Sequence, residues 1–189
     1  MERSPAVPPT TRDRALEAAV RLVGEQGVRA LTHTRVDVEA GLPKGSTSNW
    51  FRTRDALMTG VTVWIAEQER ADLAARTRPV RTPEQLVEAL CEMLDDLTGR
   101  DAVRTRARYA LFFELTAEHP AASALRDQRS HFEGWMRDVL AGVGAPEPEV
   151  AARTLLAVSA GLIVNRLTVA PAAPVRPAVE MAVRGCVPR

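Results

Sequence analysis

Cysteine is almost missing from this chain: Cys91 and Cys186 are the only two among 189 residues. Cys91 falls in a helical apolar pattern and Cys186 near the C-terminus, so a structural disulfide is not expected, and the usage suits a reducing cytoplasm. Charge of one sign is lacking too. With 25 Lys and Arg against 24 Asp and Glu the net charge is +1, and no global field advertises a nucleic-acid partner. The opening MERSPAVPPTTRDR has no apolar run after its charges, so no signal peptide is expected. Leu155 to Val169 is the most apolar segment, but Asn165 and Arg166 interrupt it. It falls short of the roughly 20 residues of a membrane span, and no membrane partner is expected. Strict two-residue alternation and internal repeats are also wanting.

Catalytic patterns are equally scarce. His33, His119 and His131 show no metal-ligand spacing with cysteine or acid. Asp95 and Asp96 are helix neighbours and point in different directions, and Ser159 near Gly161 forms no nucleophile elbow. No catalytic residue, no metal and no other cofactor is therefore expected. What remains is an ordinary globular composition, 46% hydrophobic and 26% charged, long enough to bury a sizeable core.

What is there reads as helix throughout. Residues 1–10 hold three prolines and read as a loose arm. Thr10 with Asp13 offers a capping box, Leu16, Ala19, Val20 and Val23 follow at helical spacing, and Gly27 supplies a stop. Thr32 or Thr34 caps a short second helix that Gly41 ends. Pro43 then opens a third over Lys44 to Phe51. Thr53 caps a fourth, whose apolar stripe of Leu57, Met58, Val61, Trp64 and Ile65 fades by Arg76. The polar segment Arg76 to Pro83 is the expected domain boundary. Beyond it come helices from Thr82 to Gly99, Asp101 to Glu118, Pro120 to about Leu140, Pro148 to Val169, and a short last one ending near Gly185. The chain is all-α. Residues 11–55 form a compact head, the helix over 54–75 links it, and 76–189 form a larger helical body.

Two short helices joined by a glycine turn are the helix-turn-helix pattern, whose second helix enters the DNA major groove. A helix lying in a groove needs small polar side chains that approach closely, and Ser46, Thr47, Ser48 and Asn49 fit that need. Serine and threonine bond phosphates or several bases, and asparagine pairs bidentately with adenine. Lys44, Arg52 and Arg54 carry the local positive excess and would neutralise phosphates. Backbone amides at the start of the third helix, Gly45 included, would add to anion binding. Thr32 and Thr34 cap, contact phosphate, or do both. His33 either contacts the backbone or is uninvolved. Phe51 is expected to be a core anchor.

From Leu16 to Met58 the chain resembles the N-terminal domain of TetR-family transcriptional regulators. That family's pattern is a first helix ending in glycine, a Thr, an Ile-Ala pair, Ala-Gly-Val, Ser-x-Gly-Thr, Tyr-x-His/Tyr-Phe, and Lys before Leu. Here it runs Gly27, Thr32, Val36, Ala40-Gly41-Leu42, Lys44-Gly45-Ser46, Trp50-Phe51, and Arg54 through Leu57, without a gap. Three departures stand out. Asp37 replaces the usual alanine where two helices pack closely, so its carboxylate must reach solvent or cap a helix. Ser48 replaces a frequent phosphate-binding tyrosine. Trp50 replaces histidine or tyrosine, and its indole N–H is expected to assume part of the tyrosine's role.

The resemblance implies a ligand-responsive, sequence-specific DNA-binding regulator, a repressor. Such a protein binds a palindromic double-stranded operator as a homodimer in the cytoplasm. It also implies a small-molecule effector held in the body and a dimer interface from the last two helices. Met93, Tyr109, Phe112, Phe113, Phe132 and Trp135 are the expected pocket wall, with plain core as the competing reading. The rival functions are an all-helical interaction module and an enzyme without DNA binding.

Overall fold

The computed structural model describes residues 10–75, 78–116 and 118–188. The expected arm, except for Thr10, and residues 76 and 77 of the expected boundary lie outside the described residues. Among those described there are nine α-helices, one 3-10 turn and no strand, as the all-α reading requires. The helices are α1 (Thr11–Gln26), α2 (His33–Glu39), α3 (Ser46–Trp50), α4 (Arg54–Ala75), α5 (Pro83–Thr98), α6 (Ala102–Glu114), α7 (Pro120–Gly142), α8 (Pro148–Thr168) and α9 (Arg176–Cys186).

The caps lie where the sequence put them. The Thr10 hydroxyl accepts from the Asp13 N–H at 3.1 Å, and the Asp13 carboxylate accepts from the Thr10 N–H at 3.1 Å, which satisfies two orphan donors of α1. Thr32 caps α2, so of the two threonines it is the one that serves. The Thr53 hydroxyl accepts from the Ala56 N–H at 3.0 Å at the head of α4, and Thr82 caps α5 with Pro83 in its first turn. Two boundaries differ. Gly45 has φ of +91°, which breaks helical geometry, so α3 starts at Ser46 and leaves Lys44 in the turn. The sixth helix stops at Glu114, short of the expected Glu118.

Two cores form, and they do not divide at the polar linker. The first joins Leu16, Val20 and Val23 of α1 to Leu31, Val36, Phe51, and Leu57, Val61 and Ile65 of α4, and it includes Ala107 and Leu111 of α6. The second gathers Leu86, Leu90 and Leu94 of α5 with Met136, Leu140, Leu155, Ile163, Val179 and Val183 from α7, α8 and α9. Thus α6, which belongs to the body by chain position, supplies side chains to the head. α1 and α6 lie so close that a Cβ on Gly24 would sit 2.1 Å from the Val103 carbonyl oxygen. α4, about 33 Å long at 1.5 Å per residue, runs out of the first core and packs on α7.

α8 is longer than Leu155 to Val169 suggests: by length and composition its 21 residues, with an 18-residue window of mean hydropathy 1.4, are enough to cross a membrane. Of that window 28% is buried against the rest of the chain. The helix packs on α5, α7 and α9, buries Ala151, Ala152, Leu155 and Ile163, and pairs Arg166 with Asp95 at 2.5 Å. Both cysteines are free thiols.

Alanine in place of a mid-helix glycine ordinarily stabilises by about 1 kcal/mol. At Gly24 the clash is with backbone, which no rotamer relieves. We expect Gly24→Ala to cost about 1–3 kcal/mol instead, read as a lower Tm in thermal denaturation; a raised Tm would contradict the close α1–α6 packing.

Candidate nucleic-acid interface

A helix of five residues has too few internal hydrogen bonds to hold its own position, so α3 must be held by its neighbours. Two side chains of α2 do this. The Asp37 carboxylate, only 3% exposed, accepts from the Gly45 N–H at 2.7 Å, from the Thr47 N–H at 2.8 Å and from the Thr47 hydroxyl at 2.5 Å. At the other end the His33 Nε2 lies 2.6 Å from the Phe51 carbonyl oxygen. A carbonyl can only accept, so Nε2 carries the proton and donates. Phe51 is buried as expected, beneath the Arg12 guanidinium at 5.8 Å from its ring centre. A Cβ on Gly60 would meet that ring at 2.4 Å, so α4 must present glycine there. Arg14 closes the other side by donating to the Ala40 carbonyl at 2.8 Å.

Burial pushes the Asp37 carboxyl up. The Thr47 hydroxyl, the Thr47 and Gly45 amides and the nearby His33 outweigh it and hold the group below the ordinary carboxylate value. Asp37 therefore caps the third helix from the second, and an acid replaces the expected alanine without a solvent path.

These bonds sort the expected contact residues. Lys44, Ser48, Asn49 and Trp50 are exposed, and Gly45 and Ser46 are half-buried. Thr32 and Thr34 are exposed beside them, brought to the end of α3 by the His33 bond. Thr47 is a correction. It is wholly buried and points at Asp37, so it cannot reach a base. The expectation that amides at the start of α3 bind phosphate is also overturned: those of Gly45 and Thr47 go to Asp37, and that of Ser46 goes to the Pro43 carbonyl. His33 is half-buried and serves as a strut. Arg54 is exposed but donates to the Val28 carbonyl at 3.0 Å, so part of its guanidinium is already used.

The body holds a cavity of about 210 Å³ among α4, α5, α6, α7 and α8. Of the six expected wall residues, Met93, Tyr109, Phe112 and Phe132 line it. Phe113 does not; it stands 78% exposed, edge-on to Phe112. Trp135 packs against the second core instead. Sequence reasoning missed the polar end, formed by Glu69, Asp72, Asp101, Arg104, Arg108 and Arg129. For all but Arg129 the helical spacing, 69 and 72 on α4 and 101, 104 and 108 from the cap of α6 along it, was a usable signal.

Residues 81–189, more than half of the chain, match the family model described as the tetracyclin repressor-like C-terminal domain. The chain belongs to the TetR family. Its TetR relatives include the transcriptional regulator BetI of Rhizobium meliloti strain 1021, which is 27% identical over 82 residues. That match covers 43% of this chain and 40% of BetI, so the chain spans less than half of that relative. Among solved structures, a TetR-family member from Streptomyces coelicolor A3 is 25% identical with a TM-score of 0.74, covering 95% of this chain and 100% of that one. Multidrug binding protein EbrR, in complex with malachite green, is 26% identical with a TM-score of 0.68, covering 96% and 100%. Within this TetR fold the Asp37 cap is a feature of the chain's own residues.

Because the folded-state value of Asp37 lies below the unfolded one, its contribution is complete above about pH 3.9 and is lost as pH falls through the folded value. Asp37→Asn turns an amide toward three donors and should cost about 1–3 kcal/mol at neutral pH. Measured by Tm against pH, the gap from wild type should narrow on acidification below about pH 3.9. A gap independent of pH would show that the charge on Asp37 contributes nothing.

Proposed function

We propose that this TetR-family protein is a homodimeric, ligand-responsive transcriptional repressor, acting in the cytoplasm on a palindromic DNA operator. The observation that carries the reading is the exposure of Ser48, Asn49 and Trp50 on a helix fixed at both ends by α2, with Lys44 exposed in the turn before it. Ser48 and Asn49 face outward to read base edges, Ser46 adds a hydroxyl from the first turn, and Lys44 meets phosphate from the turn. The Trp50 indole N–H, on a ring 55% exposed, takes over the phosphate contact that a tyrosine in place of Ser48 would make. Thr32, Thr34 and Arg54 flank the groove.

Dimerisation is supported by the groove between α8 and α9, where Val150, Val158, Ala178, Met181 and Ala182 line an apolar surface. Val150 is 54% exposed and Met181 is 75% exposed. A second copy covering this face would place two α3 helices on half-sites about 34 Å apart, one helical turn of DNA. Met181→Glu should leave helical content unchanged and yield a monomer by light scattering; a dimer that persists would move the interface elsewhere.

The response to ligand is supported by shared helices. α4 contributes Leu57, Val61 and Ile65 to the head core and Glu69 and Leu73 to the cavity, and α6 contributes Leu111 to the one and Thr105 and Tyr109 to the other. A molecule filling the cavity thus pushes on the two helices that carry the head. It releases DNA only to the extent of its differential affinity for the two states.

Mobility shift against the upstream region of the chain's own gene, titrated with salt, tests the reading. Lys44→Ala should weaken all sequences about equally and lower the salt slope by about one unit. Asn49→Ala should change which base pairs are preferred, whereas Thr47→Val should lower affinity without changing preference. No retardation of duplex DNA at low salt would sink the proposal and favour an interaction module.

A further inference from the structure

The cavity's polar end is unevenly paired, and that asymmetry bears on what it holds. Three acids and three arginines line it. Arg104 is taken twice: it bridges to Asp72, and to Asp101 at 3.4 Å. Arg108 meets Glu69 at 3.4 Å and lies over the Tyr109 ring, 5.4 Å from its centre. Arg129, on α7, lines the same cavity and makes no ion pair or hydrogen bond among the described residues. It is exposed, so it stands at the mouth.

The three groups around Tyr109 form one cluster. Burial raises the Tyr109 phenol, while Arg108 and Arg129 lower it and Glu69 raises it further. Glu69, 7% exposed, is itself raised, by burial first, against the pull of Arg108 and Arg104. The one buried acid of the cavity wall therefore already has two guanidinium groups beside it, and a cation entering here would add to the arginines. Gln128, wholly buried, stands close enough to Glu69 for its side chain to stabilise the carboxylate. Apart from the Thr105 and Ser159 hydroxyls the remaining wall is apolar, with Leu73, Met93, Phe112, Leu125, Phe132 and Ile163 among its residues. At about 210 Å³ the space is below the roughly 300 Å³ at which drug-sized ligands begin.

We propose that the cavity takes a compact apolar molecule bearing a single carboxylate, which Arg129 receives at the mouth beside Arg108 and Tyr109. The planar fork of a guanidinium matches a carboxylate with two parallel hydrogen bonds, and the aromatic wall takes the body. This rests on the ligand-responsive reading above and assigns its effector class. The acid need not displace an existing pair, since Arg129 has none among the described residues. The face of Arg108 that stacks on Tyr109 supplies the second positive field.

Three probes of one shape separate the charges: 2-naphthoate, its neutral amide 2-naphthamide, and the cation 2-naphthylmethylammonium. Calorimetric titration of the full-length protein is expected to give a Kd for naphthoate at least tenfold below that of naphthamide, with the ammonium weakest. Arg129→Met, at an exposed position, should raise the naphthoate Kd to that of naphthamide and leave naphthamide unchanged, while Arg129→Lys keeps part of the preference. Naphthamide or the ammonium binding as tightly as naphthoate overturns the proposal. So does an Arg129→Met protein that still prefers the acid, or a failure of all three to saturate. A protein that retards its operator yet binds none of the probes overturns the ligand class alone. One that binds naphthoate and never retards duplex DNA overturns the regulator reading alone.

Discussion

The buried carboxylate of Asp37 is the constraint on which the exposed surface of the head depends. α3 has five residues, and in isolation its nucleation cost exceeds anything its few internal bonds return. Its place in space is therefore set from outside, by one acid at its start and one imidazole at its end. Withdrawing a carboxylate from water is tolerable here because three donors meet it at 2.5–2.8 Å. The same donors are thereby removed from any outside partner. Rigidity of the helix and the loss of Thr47 and two amides as contacts are one fact seen twice.

A second constraint joins head to body. Gly24 lets α1 lie against α6 at a distance no side chain permits, and Ala107 and Leu111 complete the head's core from that helix. The polar linker marks a change of composition along the chain, yet the packing ignores it. α4 and α6 serve both the head core and the cavity, so neither region can repack without the other feeling it. The arginines of α6 are the polar continuation of this contact: Arg104 and Arg108 tie α6 to Asp72 and Glu69 on α4.

Much of the fold was legible along the chain. Caps at Thr10, Thr53 and Thr82 are local features, decided by side chains three residues from the amides they satisfy, and they fell where expected. Gly45 was legible as a glycine but not as a left-handed one, so α3 began two residues late. Asp37 could be recognised as needing a partner. Which partner was out of reach, because Gly45 and Thr47 lie eight and ten residues on, in the turn before another helix and on that helix. Thr47 looked like its polar neighbours since composition does not tell the inward face of a helix from the outward one when the helix spans little more than a turn.

The body shows the same division. Its helices follow from apolar spacing and from prolines in first turns, and four of the six expected wall residues do line a cavity. Phe113 and Trp135 were misplaced because an aromatic stripe marks a helix face, whereas a cavity is where several faces fail to meet. From residue order alone came the helical class, the caps, the family pattern from Gly27 to Leu57 and the polar character of α3, all of which depend on neighbours within a few positions. Folding in three dimensions settled the rest: which hydroxyl is consumed by Asp37, which of the cavity's three arginines is left without an ion pair among the described residues, and which helix completes the head. Those outcomes hinge on contacts between residues ten to eighty positions apart, and no local propensity encodes such distances.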